Sequence, residues 1–441
     1  MAWQLFPGGV KIQGSSFGEA VSNSAEAIQR RCPVYEGTFV YNGCTARADV
    51  LAPYSQDAWN VIEVKSATSV EDVHVEDIAF QTYLLKGAGL KIGRCYMAHI
   101  NRDFVKSGPI DPRRFFALED VTERVFARMP YVEKNVNKIS QTIWQSQCPE
   151  VQIGEHCSRP HQCPLIDRCW SFLPEGNVTE LYRGGAKRFR LLTSDITKIA
   201  DIRDHVKLTA RQAIQQQTAR TGKAHVDRGA IRNFVNKIQY PASFLDFESY
   251  APAIPLHDET KPFTPVCFQF SLHVLPSPQA EPEHFGFLAT GCSDPRSEFM
   301  RSLHDVLPRT GSVMAFNSIF ELSRLREIVE VLPTYRGWVD NIEQRTLDLL
   351  EPFRRFHYYH PAQRGSASIK SILPALVGKS YEGLSIKNGA AASFEFLRAS
   401  FGCVSPEERI QIRQDLEAYC HLDTWALVLV LTELIKWASE D

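Results

Sequence analysis

The chain has almost no net charge. Its 49 lysines and arginines stand against 51 aspartates and glutamates, a formal balance of −2 at pH 7 over 441 residues. There is no global basic field to draw in nucleic acid, so any such affinity has to come from local patches. No run approaches the roughly 18 uninterrupted apolar residues of a membrane span, and Met1 to Pro7 lack a charged segment followed by a long apolar one. These absences lead us to expect a soluble, cytoplasmic protein without a membrane partner. Internal repeats and low-complexity tracts are missing as well. No two of the 11 cysteines lie two to four residues apart, the spacing zinc ribbons favour. In a reducing compartment they are not a disulfide framework, and their clustering asks for a metal or a reactive thiol.

What is present is ordinary globular material, 44% hydrophobic and 11% aromatic, long enough for about three domains. The most telling run is Phe244-Leu245-Asp246-Phe247-Glu248. Alternate strand residues share a face, so Asp246 and Glu248 point the same way, roughly 6–7 Å apart. At about 4 Å between charged oxygens the repulsion is on the order of 4 kcal/mol at an effective dielectric near 20. A divalent cation is the usual remedy; two solvated acids at a strand end are the plain alternative.

Pattern and turn chemistry place other elements. Phe17–Arg30 reads as a helix. Thr38–Tyr41 and Thr45–Leu51 read as strands joined by Asn42-Gly43, a hairpin signal. Ala58–Ser66 reads as a strand, Val73–Lys86 as a helix, Lys91–His99 as a strand and Val121–Ser146 as a helix. From Leu181 to Lys237 bases outnumber acids, which reads as a helical connector that either follows a phosphate backbone or is a solvated face. A second α/β region opens with strands at Ser243–Tyr250 and Val266–Val274.

Three later segments bear on Asp246 and Glu248. They are Asn317-Ser318-Ile319-Phe320-Glu321 at a strand-to-helix junction, Asp348 in Arg345–Leu350, and Tyr419-Cys420-His421-Leu422-Asp423 in a helical pattern of 3.6 period. Tyr419 and Asp423, at i and i+4, share a helix face. In order and type these segments resemble the motifs of the DnaQ-like 3′-to-5′ exonucleases, tyrosine subtype, which have an RNase H-like fold. The resemblance implies that Asp246, Glu248, Glu321 and Asp423 hold two divalent ions, that Tyr419 orients the attacking water and that Asn317 supports the motif beside it. Glu321 departs from the family's usual aspartate, with Asp348 in reserve.

Upstream, Asp49 in Arg47–Leu51 and Glu63 and Lys65 in Val61–Ser66 lie on two neighbouring strands, and Glu63 and Lys65 share a face. Two acids can hold a divalent ion while a lysine steers water or stabilises developing charge; a surface ion pair is the simpler reading. With Gln81 on the next helix the pattern resembles the RecB-like branch of the PD-(D/E)xK nucleases, where that helix carries Gln-x3-Tyr. Here Leu85 fills the tyrosine position. Glu19 and Glu36 are candidates for a further acid.

Cys148, Cys157, Cys163 and Cys169 follow at intervals of nine, six and six. RecB-like nucleases often carry a [4Fe–4S] cluster just after the core, and the resemblance implies that Cys157, Cys163 and Cys169 are three of its ligands. Cys148 or Cys32 is the fourth, with Zn2+ as the alternative metal. Cys44, Cys95, Cys267, Cys292, Cys403 and Cys420 read as small core residues.

The succession of these regions, with Phe268–His273 and Gly365–Pro374, resembles a bacterial family known as domain of unknown function 2779. The expected fold is α/β. It comprises a PD-(D/E)xK restriction-endonuclease-like core (1–147), a cysteine cluster (148–175), a basic helical connector (176–238) and an RNase H-like exonuclease domain (239–441). The resemblance implies a nuclease with two active centres, dependent on Mg2+ or Mn2+ and acting on DNA in repair, recombination or defence. RNA processing and a non-catalytic nucleic-acid-binding scaffold with decayed centres are the alternatives.

Overall fold

The computed structural model describes residues 1–440. The chain divides into two units, Met1–Gln152 with Pro252–Thr264, and Ile153–Ala251 with Pro265–Asp441. Each is mixed α/β, the class expected.

In the first unit α1 (Phe17–Gln29) begins behind Ser16, whose hydroxyl accepts the Glu19 N–H and so satisfies one orphan donor of the first turn. A six-stranded sheet runs in chain order: β1 (Val10–Lys11), β2 (Val34–Tyr41), β3 (Cys44–Pro53), β4 (Ala58–Lys65), β5 (Lys91–Ile100) and β6 (Phe116–Asp120). Asn42 and Gly43 take φ of 49° and 70°, as a tight turn between twisted strands requires. Between β4 and β5 lies α2 (Asp72–Gly87), which is why those two strands are parallel. After α3 (Pro112–Phe115), α4 (Thr122–Ile143) buries Val125, Val132 and Val136 in the core that also holds Leu51, Val61, Ile78, Leu84 and Met97.

The second unit starts with α5 (Ile166–Cys169), α6 (Ala186–Thr193), α7 (Ala210–Thr221), β7 (His225–Val226) and α8 (Arg228–Val235). The basic helical connector expected over 176–238 lies within this unit. It folds around Val178, Leu181, Leu191, Ile196, Ile199 and Ile202. Several of its bases turn to carbonyls: Arg188 to Thr179 (3.0 Å), Arg220 to Ala200 and Ile202 (2.8 and 2.9 Å) and Arg232 to Ala438 (2.8 Å). These three satisfy backbone acceptors, while Arg190, Lys207, Lys223 and Lys237 of the same run stay exposed.

The main sheet follows. β8 (Ala242–Tyr250) is central, β9 (Val266–Leu275) and then β10 (Glu283–Leu288) pair antiparallel on one side, and β11 (Val313–Ala315) and β12 (Thr346–Asp348) run parallel on the other. β13 (Tyr358–Tyr359) pairs with β7. Among the helices are α9 (Arg296–Val306), α10 (Ile319–Val331), α11 (Arg336–Gln344), α12 (Glu351–Arg354), α13 (Ile369–Val377), α14 (Gly389–Phe401) and α15 (Pro406–Ser439). One sheet face, with Leu245, Phe247, Phe270 and Leu272, packs on Phe299, Leu303 and Leu325 of α9 and α10. The opposite face carries Asp246 and Glu248 and lies under α15. Among the described residues α15 alone has the length and apolar composition to cross a membrane, and more than half of that window is buried inside the unit, as in a core helix.

Candidate functional site

The alternation of β8 brings Asp246 and Glu248 to the face that α15 covers, and the helix brings Asp423 to them. One carboxylate oxygen of each lies within 4.8 Å of one from each of the others. Glu248 and Asp423 are 7% and 8% exposed, and Asp246 is half-buried. Burial, reinforced by the charges of Asp423, Glu248 and Glu321, holds the Asp246 carboxyl well above the usual carboxylate range. Burial likewise pushes Glu248 up to about 8 and Asp423 up to about 6. The opposing cation is Lys370. Three acids that resist ionising together, with one lysine to offset them, form a donor set that fits a divalent cation.

Tyr419 is buried one turn before Asp423 on α15. Lys370 Nζ donates to its hydroxyl at 3.2 Å and stands 5.1 and 5.3 Å from the ring centroids of Tyr419 and Tyr381. The Tyr381 hydroxyl donates to Asp423 Oδ1 at 2.6 Å. Burial and the Asp423 charge raise both phenols, so both keep their protons as donors. Gly389 opens α14 where a Cβ would come 3.2 Å from Glu248 Oε2, so a larger residue would press the carboxylate by a few tenths of an ångström beside that helix N-terminus.

Glu321 sits in the first turn of α10, 5% exposed, with Oε2 lacking a hydrogen-bond partner. It stands outside the 4.8 Å group and acts on Asp246 through charge; burial pushes its own pKa up to about 8. Asp348, the reserve candidate, lies outside the 4.8 Å group. Its Oδ1 accepts the N–H groups of Asn317 (2.9 Å) and Leu350 (3.0 Å), and Arg354 holds Oδ2 at 3.3 Å. Asn317, exposed at φ 69°, is the turn that starts α10, a conformation asparagine tolerates.

In the first unit the β3–β4 ladder runs out after Val50↔Ile62, and the Asp49 carboxylate takes over by accepting the Val64 N–H at 2.8 Å. Glu63 is 4% exposed. Its two oxygens accept from Lys65 Nζ (2.6 Å) and Gln81 Nε2 (2.7 Å). Burial and the Asp49 charge push it up to about 7. Burial works against the Lys65 ammonium, but hydrogen bonds to Asp77 and Glu63 outweigh it and raise its pKa. Gln81 also donates to Asp77 Oδ1 at 3.3 Å, and its own Oε1 is buried without a partner. Burial raises Asp49, and Glu36, which has φ 57° on β2, adds to that shift. Among the described residues the acids of this unit do not close into a 4.8 Å group. Glu19 is instead exposed, accepting from Ser15 at the start of α1, and Leu85 is core, 1% exposed.

Sequence reading missed Asp77, Lys370 and Tyr381. Asp77 had a signal, since it lies four residues before Gln81. Lys370 lies in the Gly365–Pro374 stretch, but nothing local links it or Tyr381 to α15.

Cys157 is buried, Cys163 half-buried and Cys169 exposed, all free thiols of the second unit; Cys148 and Cys32 belong to the first. The Cys163 N–H donates to the Cys157 carbonyl at 2.8 Å, closing the loop between them, but among the described residues the cysteine sulfurs do not close into a 4.8 Å group. Cys95, Cys267 and Cys420 are buried as expected, whereas Cys44 is half-buried and Cys292 and Cys403 are exposed and not core.

Comparison with known proteins supplies a domain and relatives. Residues 243–368 match the family described as a domain of unknown function, DUF2779. The chain therefore carries a DUF2779 domain, which includes Asp246, Glu248 and Glu321 but ends before Lys370 and α15. It is similar to the uncharacterized protein UU173 of Ureaplasma parvum, 25% identical over 268 residues, covering 55% of this chain and 38% of that one. It is also similar to the uncharacterized protein MG366 of Mycoplasma genitalium, 26% identical over 227 residues (46% and 34%), and to the MG366 homolog of Mycoplasma pneumoniae, 24% identical over 213 residues (44% and 32%). The chain spans about a third of the length of the curated relatives it matches. No solved structure matches it.

Proposed function

We propose that this chain is a divalent-metal-dependent nuclease with two centres, a DnaQ-like 3′-to-5′ exonuclease of RNase H-like fold in the second unit and a RecB-like nuclease in the first, acting on DNA. The observation that carries the reading is the convergence of Asp246, Glu248 and Asp423 within 4.8 Å beside Tyr419. Asp246 lies on the central strand, between the antiparallel hairpin and the parallel pair, the crevice where open α/β sheets bind ligands.

Asp246, Glu248 and Asp423 would hold Mg2+ or Mn2+, with the unpaired Glu321 oxygen as a further donor. When bound, such ions stabilise the attacking and leaving oxygens of a phosphodiester. The Tyr419 hydroxyl, fixed by Lys370, presents its oxygen to orient a water, and Tyr381 keeps Asp423 in place. In the first unit Asp49 and Glu63 would hold the ion, while Gln81 and Asp77 fix Glu63 and Lys65. Cys157, Cys163 and Cys169 would supply three of the four thiolates of a [4Fe–4S] cluster, with Zn2+ as the alternative. Anaerobically purified protein is then brown and holds iron and sulfide; colourless protein with stoichiometric zinc rejects the cluster.

Single-stranded DNA labelled at either end, with Mn2+ present, tests the exonuclease. The wild-type protein and E63Q shorten it from the 3′ end, and D246N slows that shortening at least about a hundredfold. Equal rates for wild type and D246N reject the assignment. A parallel RNA substrate decides between DNA and RNA.

A further inference from the structure

A second group of ligating side chains lies on the same sheet face. His273 on β9, His284 on β10 and His421 on α15 each place one ring nitrogen within 4.8 Å of one from both others. Their ring centroids are 4.4 to 4.9 Å apart. β9 and β10 put His273 and His284 directly opposite in register. We propose that His273, His284 and His421 form a site for a first-row divalent ion of the zinc class, separate from the carboxylate centre, with the fourth position open to solvent.

A hydroxyl relay supports the rings. The Thr424 hydroxyl donates to the His421 backbone carbonyl (3.3 Å) and lies 2.8 Å from His273 Nδ1 and 2.6 Å from Ser271 Oγ, which in turn lies 2.9 Å from His284 Nε2. One assignment satisfies every partner. His273 Nδ1–H donates to Thr424, His284 Nε2–H donates to Ser271, and Ser271 donates to Thr424. The lone pairs then sit on His273 Nε2 and His284 Nδ1, the arrangement in which the outer hydrogen bond of a ligating imidazole fixes its tautomer. Burial and the neighbouring imidazoles lower His273 to about 3, and burial also lowers His284 and His421.

Zn–N bonds of about 2.0–2.1 Å put tetrahedral ligand nitrogens about 3.3–3.4 Å apart. Closing the group from within 4.8 Å asks for small ring rotations at the exposed His284 and His421 that keep the Ser271 bond to His284. Imidazole selects zinc-class ions, whereas the carboxylate centre suits magnesium or manganese. A cavity of about 180 Å³ lined by Ser271, His284, Glu417, Cys420 and His421 adjoins the group and admits a water or the Glu417 carboxylate as fourth ligand. An ion here ties α15 to the β9–β10 hairpin, and α15 also carries Tyr419 and Asp423.

Co2+ titration of the metal-free full chain tests the site without reference to nuclease activity. Wild type and D246N/D423N both show the visible absorption of one low-coordinate, nitrogen-ligated Co2+ per chain, distinct from any Co2+ held by the carboxylates or by the cysteine thiolates. H284Q/H421Q, which changes only exposed rings, keeps its far-UV circular dichroism and loses that absorption, with affinity falling at least about a hundredfold. Absence of the band in folded wild-type protein, or an unchanged band in H284Q/H421Q, overturns the proposal. A band kept by D246N/D423N supports the histidine site even where the nuclease reading has failed.

Discussion

Asp246, Glu248 and Asp423 are acids held where they resist ionising, and that has a consequence for stability. The folded values of Glu248 and Asp423, about 8 and about 6, stand above their ordinary 4.5 and 3.8. Groups raised on folding favour the folded state fully below their unfolded values, and the contribution drains as pH rises through the folded ones. Metal-free protein is therefore expected to lose thermal stability between about pH 4 and pH 8, with each kcal/mol worth about 2–4 °C for a unit of this size. E248Q flattens that slope in scanning calorimetry, and Mg2+ or Mn2+ raises the midpoint more at pH 8 than at pH 5. An E248Q slope equal to wild type contradicts the reading. Asp77 gives a second prediction at this scale. It holds Lys65 and Gln81 without being the acid they serve, so D77A is expected to lower first-unit nuclease activity about 10–100-fold, measured in a D246N background.

α15 is the element on which the second centre depends. It presents Tyr419 and Asp423 to the acids, and its Leu416 carbonyl accepts Gln269 Nε2 of β9 at 2.9 Å. Leu416 itself is fully buried. L416A is expected to cost about 2–5 kcal/mol, whereas I410A, on the exposed side of the same helix, should stay within about 0.5 kcal/mol in denaturant unfolding. Comparable losses in both would mean that the helix is not seated as described. Elements with strong local signals were legible in sequence. The Asn42-Gly43 turn falls where expected and α2 and β5 lie within a residue of their expected bounds, because their signals are local, whereas β2 begins four residues before the expected Thr38. That Asp246, Glu248 and Asp423 come together was legible through order and spacing, whereas Glu321 stands outside their group. Lys370 and Tyr381 were not legible, because only the tertiary fold brings α13 and the loop after it to α15. Within the basic run over 181–237 sequence does not distinguish an arginine that meets only solvent from one that also bonds a backbone carbonyl, as Arg188, Arg220 and Arg232 do.

The whole molecule combines two mixed α/β units, each with a cluster of perturbed acids and a lysine, in a chain of formal net charge −2. Such a balance predicts that nucleic-acid affinity rests on few phosphate contacts and falls modestly with salt. The central claim is that both clusters are hydrolytic centres. The most direct measurement is metal-dependent degradation of end-labelled single- and double-stranded DNA by wild type, E63Q, D246N and the double variant E63Q/D246N. The account predicts that each single variant loses a different part of the product pattern and that the double variant loses degradation altogether. A double variant that degrades DNA as fast as wild type would contradict it.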